Sequence, residues 1–422
     1  MLLPITLAAS KLIAGLSRGL GRGSGQALPG LVADRLDPRV QEKLAASLTD
    51  GVIMVTGTNG KTTTTKLVVE FLEAAGMRVV TNSSGSNLKR GVTSALLSAA
   101  NARGRMRHAT VGVFEVDEAS LRLVAPLLRP RHIIVTNLFR DQLDRYGELD
   151  TTAKLIGEGI AHTSAELHLN ADDPLVASLD KYAKDPAKVH YFGIEGAPVN
   201  AVGTHQTAVD SDRCPLCRNR LVFDRVFYGH IGHYHCPNGD FARPKPSVVI
   251  TNVEQADREG SRFNLAISGK RHEFMFPLPG TYNLYNALAA VSLGSVMGVP
   301  VPAMQETLGR TKAAFGRVEQ VEIDGKTLCL LLIKNPAGFA QVLQTFVVGR
   351  DEVRVLFVIN DNPADGRDVS WLWDVPLEAL AGYQTTIFTA GTRGVDMGLR
   401  MHYAGVDAAT TPSIGAGIQS LL

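Results

Sequence analysis

Apolar and polar positions divide the chain into regions of different texture. Short apolar runs at residues 52–55, 78–80, 110–114, 132–135 and 166–169 are separated by longer amphipathic stretches. Such alternation predicts a parallel sheet with helices on both faces. From about residue 193 to 279 the runs become short and alternating, as at 247–252 and 262–267, which predicts an insertion of antiparallel hairpins. Helical spacing returns at 283–297, and strands at 328–333, 353–359 and 385–388 predict a second α/β unit beyond Gly316. Ahead of the sheet, Leu12, Ile13, Leu16 and Leu20 recur at helical spacing. They predict a helix packed on the body of the protein, with contact to a membrane surface as the alternative. The expected organisation is a helical segment at 1–50, a central domain at 51–315 with an insertion near 200–250, and an α/β domain at 316–422.

A chain of 422 residues is long enough for two or three cores. Lys and Arg number 43 against 41 Asp and Glu, a net charge of +2, which supplies no electrostatic reason for a nucleic-acid partner. Four cysteines do not make a disulfide framework, and the clustering of three of them suits a reducing cytosol. Lys11 and Arg18 lie inside the N-terminal apolar stretch, and no run reaches the ~20 apolar residues of a membrane span, so neither a targeting signal nor a transmembrane segment is expected.

Residues 53–65 run from an apolar strand into a Gly-rich turn ending in Gly60-Lys61-Thr62. In this layout the backbone N–H groups of Thr58, Asn59, Gly60, Lys61, Thr62 and Thr63 face phosphates, Lys61 reaches the terminal ones, and the Thr62 hydroxyl ligates magnesium. Val55 stands where the longer form of the motif has Gly, and the competing reading is an ordinary turn with a solvated lysine. The strand at 110–114 ends in Glu115-Val116-Asp117-Glu118. Glu115 is the expected magnesium ligand, and Asp117 and Glu118 the expected helix caps. Polar runs at 136–148 and 170–174 end the next two strands and converge on the same crevice.

These segments, in this order, resemble the central ATP-binding domain of the Mur ligases, which extend the peptide of peptidoglycan precursors. The resemblance implies that Asn283 and Asn286, in Gly280-Thr281-Tyr282-Asn283-Leu284-Tyr285-Asn286, contact the adenine, and that Arg317 approaches the nucleotide. Many amino-acid-adding members have Asp-His where this chain has Asp141-Gln142, and Asp-Tyr-Ala-His where Lys334-Asn335-Pro336-Ala337-Gly338 stands. Those departures and the segment 360–374 look like the amidating branch, in which a separate GatD-type glutaminase supplies ammonia. The implied reaction, at the inner face of the bacterial membrane, is ATP-dependent conversion of the D-glutamate carboxylate of lipid II to D-isoglutamine through an acyl phosphate. Glutaminases need a cysteine nucleophile. Cys329 lies in an apolar run and reads as core, so the nucleophile belongs to the partner. The resemblance implies that Asp368 orients the partner's catalytic histidine, with Asp361 and Asp365 as the neighbouring acids.

Cys214-Pro-Leu-Cys217 and, eighteen residues on, Cys236-Pro-Asn-Gly239 have the spacing of a zinc ribbon without its fourth thiolate. Asp240, or one of His230, His233 and His235, would complete a structural zinc site. The other functional readings are a Mur-type or folylpolyglutamate-type amino-acid ligase and a non-catalytic scaffold that binds nucleotide.

Overall fold

The computed structural model describes residues 2–19, 27–82, 86–141, 149–196, 210–257, 259–312, 318–323, 325–350, 352–362 and 366–422. Its centre is a nine-stranded sheet built from β1 (Gly51–Thr56), β2 (Val79–Thr81), β3 (Val111–Glu115), β4 (His132–Val135), β5 (Glu166–Asn170), β6 (Val189–Ile194), β9 (Val248–Asp257), β10 (Gly260–Ile267) and β11 (Lys270–Phe276). The spatial order is β11-β10-β9-β6-β5-β4-β1-β3-β2. Pairing is parallel from β2 across to β9 and antiparallel from β9 to β11. Side chains of β1 alternate between two cores: Ile53 and Val55 join helices Lys61–Ala74 and Thr281–Val296, while Val52 and Met54 join the opposite layer.

The stretch predicted as a separate hairpin insertion divides in two. β9, β10 and β11 are antiparallel neighbours, yet they extend the main sheet through β6. Among the described residues of this stretch, only β7 (Val222–Tyr228) and β8 (Ile231–His235) form a hairpin apart from it. Local alternation specifies a strand but not the sheet edge on which it docks, which is a long-range packing outcome.

At the N-terminus, helix Leu2–Gly19 buries Thr6, Leu7 and Ser10, and Leu7 joins the core with Ala33, Val40 and Leu44. Leu12, expected on the packed face, is exposed instead, because the loop at Gly104 and helix Lys89–Ala99 contact the other side of the helix. The side chains of Leu16 and Leu20 lie outside the described residues.

Beyond the sheet, β12 (Val318–Ile323) and β13 (Lys326–Leu331) form an antiparallel ribbon. The run at 328–333, expected as the first strand of the C-terminal unit, therefore belongs to this connector. Cys329 is exposed on it rather than buried in a core, because a two-stranded ribbon has no second layer to cover that face. The C-terminal unit has its own parallel sheet of β14 (Arg354–Val358), β15 (Thr386–Ala390) and β16 (Ala409–Thr410). Its separate core is built around Phe339, Leu343, Phe357, Leu372, Ile387 and Met397.

Candidate functional site

Strand order fixes the site. β1 is followed by a crossover to β2 on one side, and the chain later passes to β4 on the other, so a crevice opens at the carboxyl ends of β1, β3 and β4. The turn after β1 contains Gly57 at φ 119° and Gly60 at φ 85°. A Cβ at Gly60 would lie 2.0 Å from the Asn286 Oδ1, so the turn and the base-side helix approach as closely as backbone allows.

Lys61 is buried in this turn. Its Nζ donates to the Gly57 carbonyl at 2.5 Å and to the Glu118 Oε1 at 3.2 Å. Burial works to lower the Lys61 pKa, yet Glu118, Glu115, Asp141 and Asp117 together hold it above its ordinary value. Burial pushes the Glu118 carboxyl up, against the pull of Lys61. The expectation for Glu118 is thus corrected. Asp117 caps helix Glu118–Leu128 by accepting from the Ala119 N–H at 3.2 Å, whereas Glu118 is the counter-ion of Lys61.

The Thr62 hydroxyl donates to the Glu115 Oε2 at 2.9 Å, bringing together two hard oxygen ligands. Glu115 is held by Asn82, whose side chain bonds both its backbone N–H and its carbonyl, and its Oε1 lies 3.5 Å from the Asn87 Nδ2. Asn137, at the end of β4, accepts from the Asn59 N–H at 2.9 Å and donates back to the Asn59 carbonyl at 3.0 Å. By contrast, the acids after β5 turn inward. Asp172 takes Arg243 and Tyr285, and Asp173 caps helix Pro174–Ala177 while holding the Leu138 N–H.

Across the crevice, the Asn335 Nδ2 donates to the Asn59 Oδ1 at 3.0 Å, and the Lys334 Nζ pairs with the Asp141 Oδ2 at 2.7 Å. Asn335 also caps helix Pro336–Phe346 through the Gly338 N–H at 2.8 Å. A cleft of about 100 Å³ remains between the two parts, lined by Asn59, Gly60, Thr62, Thr63, Tyr228, Tyr282, Asn283, Asn286 and the start of the C-terminal helix. Asn283 and Asn286 are buried and bonded to each other at 3.1 Å. Arg317, Gln142 and Asp365 lie outside the described residues.

Glu118, Asn137, Lys334 and Asn335 were not assigned to the nucleotide site from sequence. Asn137 was legible as a strand-end polar residue, and Lys334-Asn335 as a replaced motif. Nothing local marks Glu118 as the partner of Lys61.

At the open end of the β7–β8 hairpin, Cys214, Cys217, Cys236 and Asp240 place their ligand atoms within 4.8 Å of one another. A hydrogen bond to the Asp240 carboxylate, with burial, pushes the Cys236 thiol up to about 12. The three histidines considered as ligands face elsewhere: His230 is buried beside Asp173 and Phe139, His233 bonds the Ile194 carbonyl, and His235 pairs with Asp224. Three soft sulfurs and one oxygen suit zinc.

In the C-terminal unit, Asp368 accepts from the Ser370 N–H at 2.8 Å, and its bonds to Ser370 lower its pKa. Asp361 is bound to Thr392 and Arg393 at 2.8 and 2.9 Å.

Two family models match the chain: the Mur ligase middle domain over residues 55–222 and the MurT ligase C-terminal domain over residues 332–419. The chain is 34% identical over 404 residues to the lipid II isoglutaminyl synthase (glutamine-hydrolyzing) subunit MurT of Staphylococcus aureus strain N315, covering 94% of this chain and 87% of that protein. It is 33% identical over 395 residues to the same-named subunit of Streptococcus pneumoniae strain R6, covering 93% and 85%. Among solved structures, a pseudomurein peptide ligase type C from Methanothermus fervidus superimposes with a TM-score of 0.68 at 23% identity, over 87% of this chain and 69% of that one.

Proposed function

The chain belongs to the MurT branch of the Mur ligase family, and on that premise we propose how its residues carry out the ATP-driven amidation of lipid II in peptidoglycan synthesis. It is a carbon–nitrogen ligase, and the family uses ATP and magnesium. The relatives are named as subunits of a glutamine-hydrolysing synthase, which implies a partner. In our reading that partner is a GatD-type glutaminase that delivers ammonia.

A carboxylate does not react with ammonia until it is activated. An oxygen of the D-glutamate carboxylate attacks the γ-phosphorus of ATP, the bond to the β–γ bridging oxygen breaks, and ADP leaves. Ammonia then attacks the acyl carbon and phosphate departs, taking the surplus proton from nitrogen. Gly60, Lys61, Thr62 and Thr63 grip the phosphates, with Lys61 exchanging Glu118 for a phosphate oxygen. Thr62 and Glu115 would hold a magnesium ion, which when bound would supply positive charge at the transferring phosphoryl group. Asn283 and Asn286 bind the base and Arg317 the nucleotide, while Lys334 enters from the C-terminal side as a second cation. Asp368 reaches the glutaminase histidine, and Cys214, Cys217, Cys236 and Asp240 hold a structural zinc.

The observation that carries this reading is the Thr62–Glu115 contact beside buried Lys61. Lys61→Ala should lower ammonium-driven amidation by ~10²-fold or more without changing the fold. Glu115→Gln should raise the magnesium concentration needed for half-maximal rate. Wild-type turnover in Lys61→Ala, or unchanged magnesium dependence in Glu115→Gln, would refute the assignment. ATP binding without lipid II-dependent turnover would favour the non-catalytic nucleotide-binding scaffold.

A further inference from the structure

Helix Leu2–Gly19 packs inward through Thr6, Leu7 and Ser10, and turns Ile5, Ala8 and Leu12 outward at helical spacing. Ile5 is 64% and Leu12 67% exposed. Helix Ala27–Leu36 packs against it and repeats the arrangement, with Leu28, Leu31, Arg35 and Leu36 exposed along one face. An apolar face outward on two successive helices is the reverse of a surface helix in water.

The charge around these helices is one-sided. Residues 1–33 contain Lys11, Arg18 and Arg22 and no acid, and residues 74–114 contain six Lys or Arg and no acid. The second stretch includes the loop Arg103-Gly104-Arg105-Met106-Arg107-His108, whose three arginines and histidine are all exposed. This loop lies against the first helix: a Cβ on Gly104 would stand 2.5 Å from the Leu3 side chain, and Lys11 bonds the Ala100 carbonyl at 2.8 Å. Nearby acids are already engaged, Asp34 by Thr93, Asp37 by Lys43 and Glu42 by Arg39 and Arg129.

We propose that helix Leu2–Gly19, with helix Ala27–Leu36 and the basic loop 103–108, is a docking surface for an anionic lipid bilayer. Outward leucine and isoleucine side chains enter the acyl boundary while the arginines meet the headgroups. No described helix is long and apolar enough to cross a membrane, so the helix lies on the bilayer. Exposed arginines around the apolar face, with Asp34, Asp37 and Glu42 each engaged by other groups, select this occupant over a protein groove. Docking rests on the reading that the substrate is lipid-linked.

The test is co-sedimentation of the full chain with vesicles of phosphatidylcholine alone or mixed with phosphatidylglycerol, in the absence of substrate. Binding should require the anionic lipid and weaken as salt rises. Replacing Arg103, Arg105 and Arg107 together by Ala should weaken partitioning by about a hundredfold, at roughly fivefold per cation. Leu12→Glu should weaken it by about tenfold. Both changes are at exposed positions, and circular dichroism checks the fold. In complex with the glutaminase, both variants should amidate a water-soluble, short-chain analogue of the substrate at the wild-type rate, yet lose rate on substrate embedded in vesicles. Equal partitioning of wild type to both vesicle types, or variants that bind like wild type, would overturn the proposal. Loss of glutaminase binding with vesicle binding intact would assign the surface to the partner and also overturn it. Failure of the wild type on the soluble analogue would instead count against the amidation reading, since vesicle binding is measured without turnover.

Discussion

Asp368 shows how one carboxylate can be argued from its surroundings. Its bonds to Ser370 keep it ionised and fix its direction at the start of the short helix Ser370–Asp374. Asp361, the competing acid, is already occupied by Thr392 and Arg393. Asp368→Asn should therefore cut glutamine-driven amidation by ~10²- to 10⁴-fold while leaving ammonium-driven amidation near wild type. Glutamine use at the wild-type rate would remove Asp368 from the glutaminase site. At this scale the sequence was legible wherever a residue's placement follows from its neighbours in the chain: Gly60, Lys61 and Thr62 stand in the turn after β1, and Thr62 meets Glu115 there. It was misleading where the role depends on a distant partner: Glu118 read as a cap and is the counter-ion of Lys61, and Cys329 read as core and is exposed.

Among the elements, the β7–β8 hairpin is anchored at its turn, where Phe227, Tyr228 and Ile231 join the main core, while at its open end Cys214, Leu221, Tyr234 and Cys236 pack against Ala177 in a small cluster of their own. Its turn nevertheless places Tyr228 against Phe139 and in the nucleotide cleft. A zinc on the Cys214 cluster would hold the open end of the hairpin together. The purified chain is expected to contain one zinc. Its removal by chelator should raise protease sensitivity around residues 210–242 while changing the global melting temperature little. A chain isolated without chelator and free of zinc would remove the metal from the account.

Strands β4, β5 and β6 place His132, His168 and His190 side by side beneath the site. The His132 Nδ1 lies 3.3 Å from the His168 Nε2, and the His168 Nδ1 lies 2.9 Å from the Ser292 Oγ. Burial lowers His132 to about 4 against the pull of Glu166, with His190, Arg131 and Lys188 adding to the fall, and burial lowers His168 well below its usual value. A depressed histidine pKa means that the unfolded chain binds the proton more tightly. Stability is thus complete above about pH 6.5 and falls as pH drops toward 4, by up to ~3 kcal/mol for His132 alone. The urea midpoint should decline over this window, and His132→Asn should flatten the decline. An unchanged slope in that variant would exclude His132 as the cause. Strand and helix positions of this kind follow from periodicity. The docking of β9–β11 on the main sheet does not, because it depends on which edge is available after the chain has collapsed.

On the scale of the whole molecule, the candidate nucleotide site is completed by contacts between units far apart in sequence. Asn335 meets Asn59 and Lys334 meets Asp141, so the C-terminal unit closes directly on the phosphate turn. The sequence revealed these residues only as a replaced motif, since their partners lie about two hundred or more positions away. On the proposed mechanism, closure would give the chemistry its order, with phosphates separating Lys61 from Glu118 before the carboxylate is activated. The most direct test follows the oxygen atoms. Lipid II labelled with ¹⁸O in the D-glutamate α-carboxylate is incubated with the chain, its glutaminase, glutamine, ATP and magnesium. The account predicts one amide formed per ADP and one ¹⁸O transferred from substrate to inorganic phosphate, with both lost in Lys61→Ala. Amide formed without ¹⁸O in phosphate, or with the label in AMP, would contradict activation by γ-phosphoryl transfer at this site.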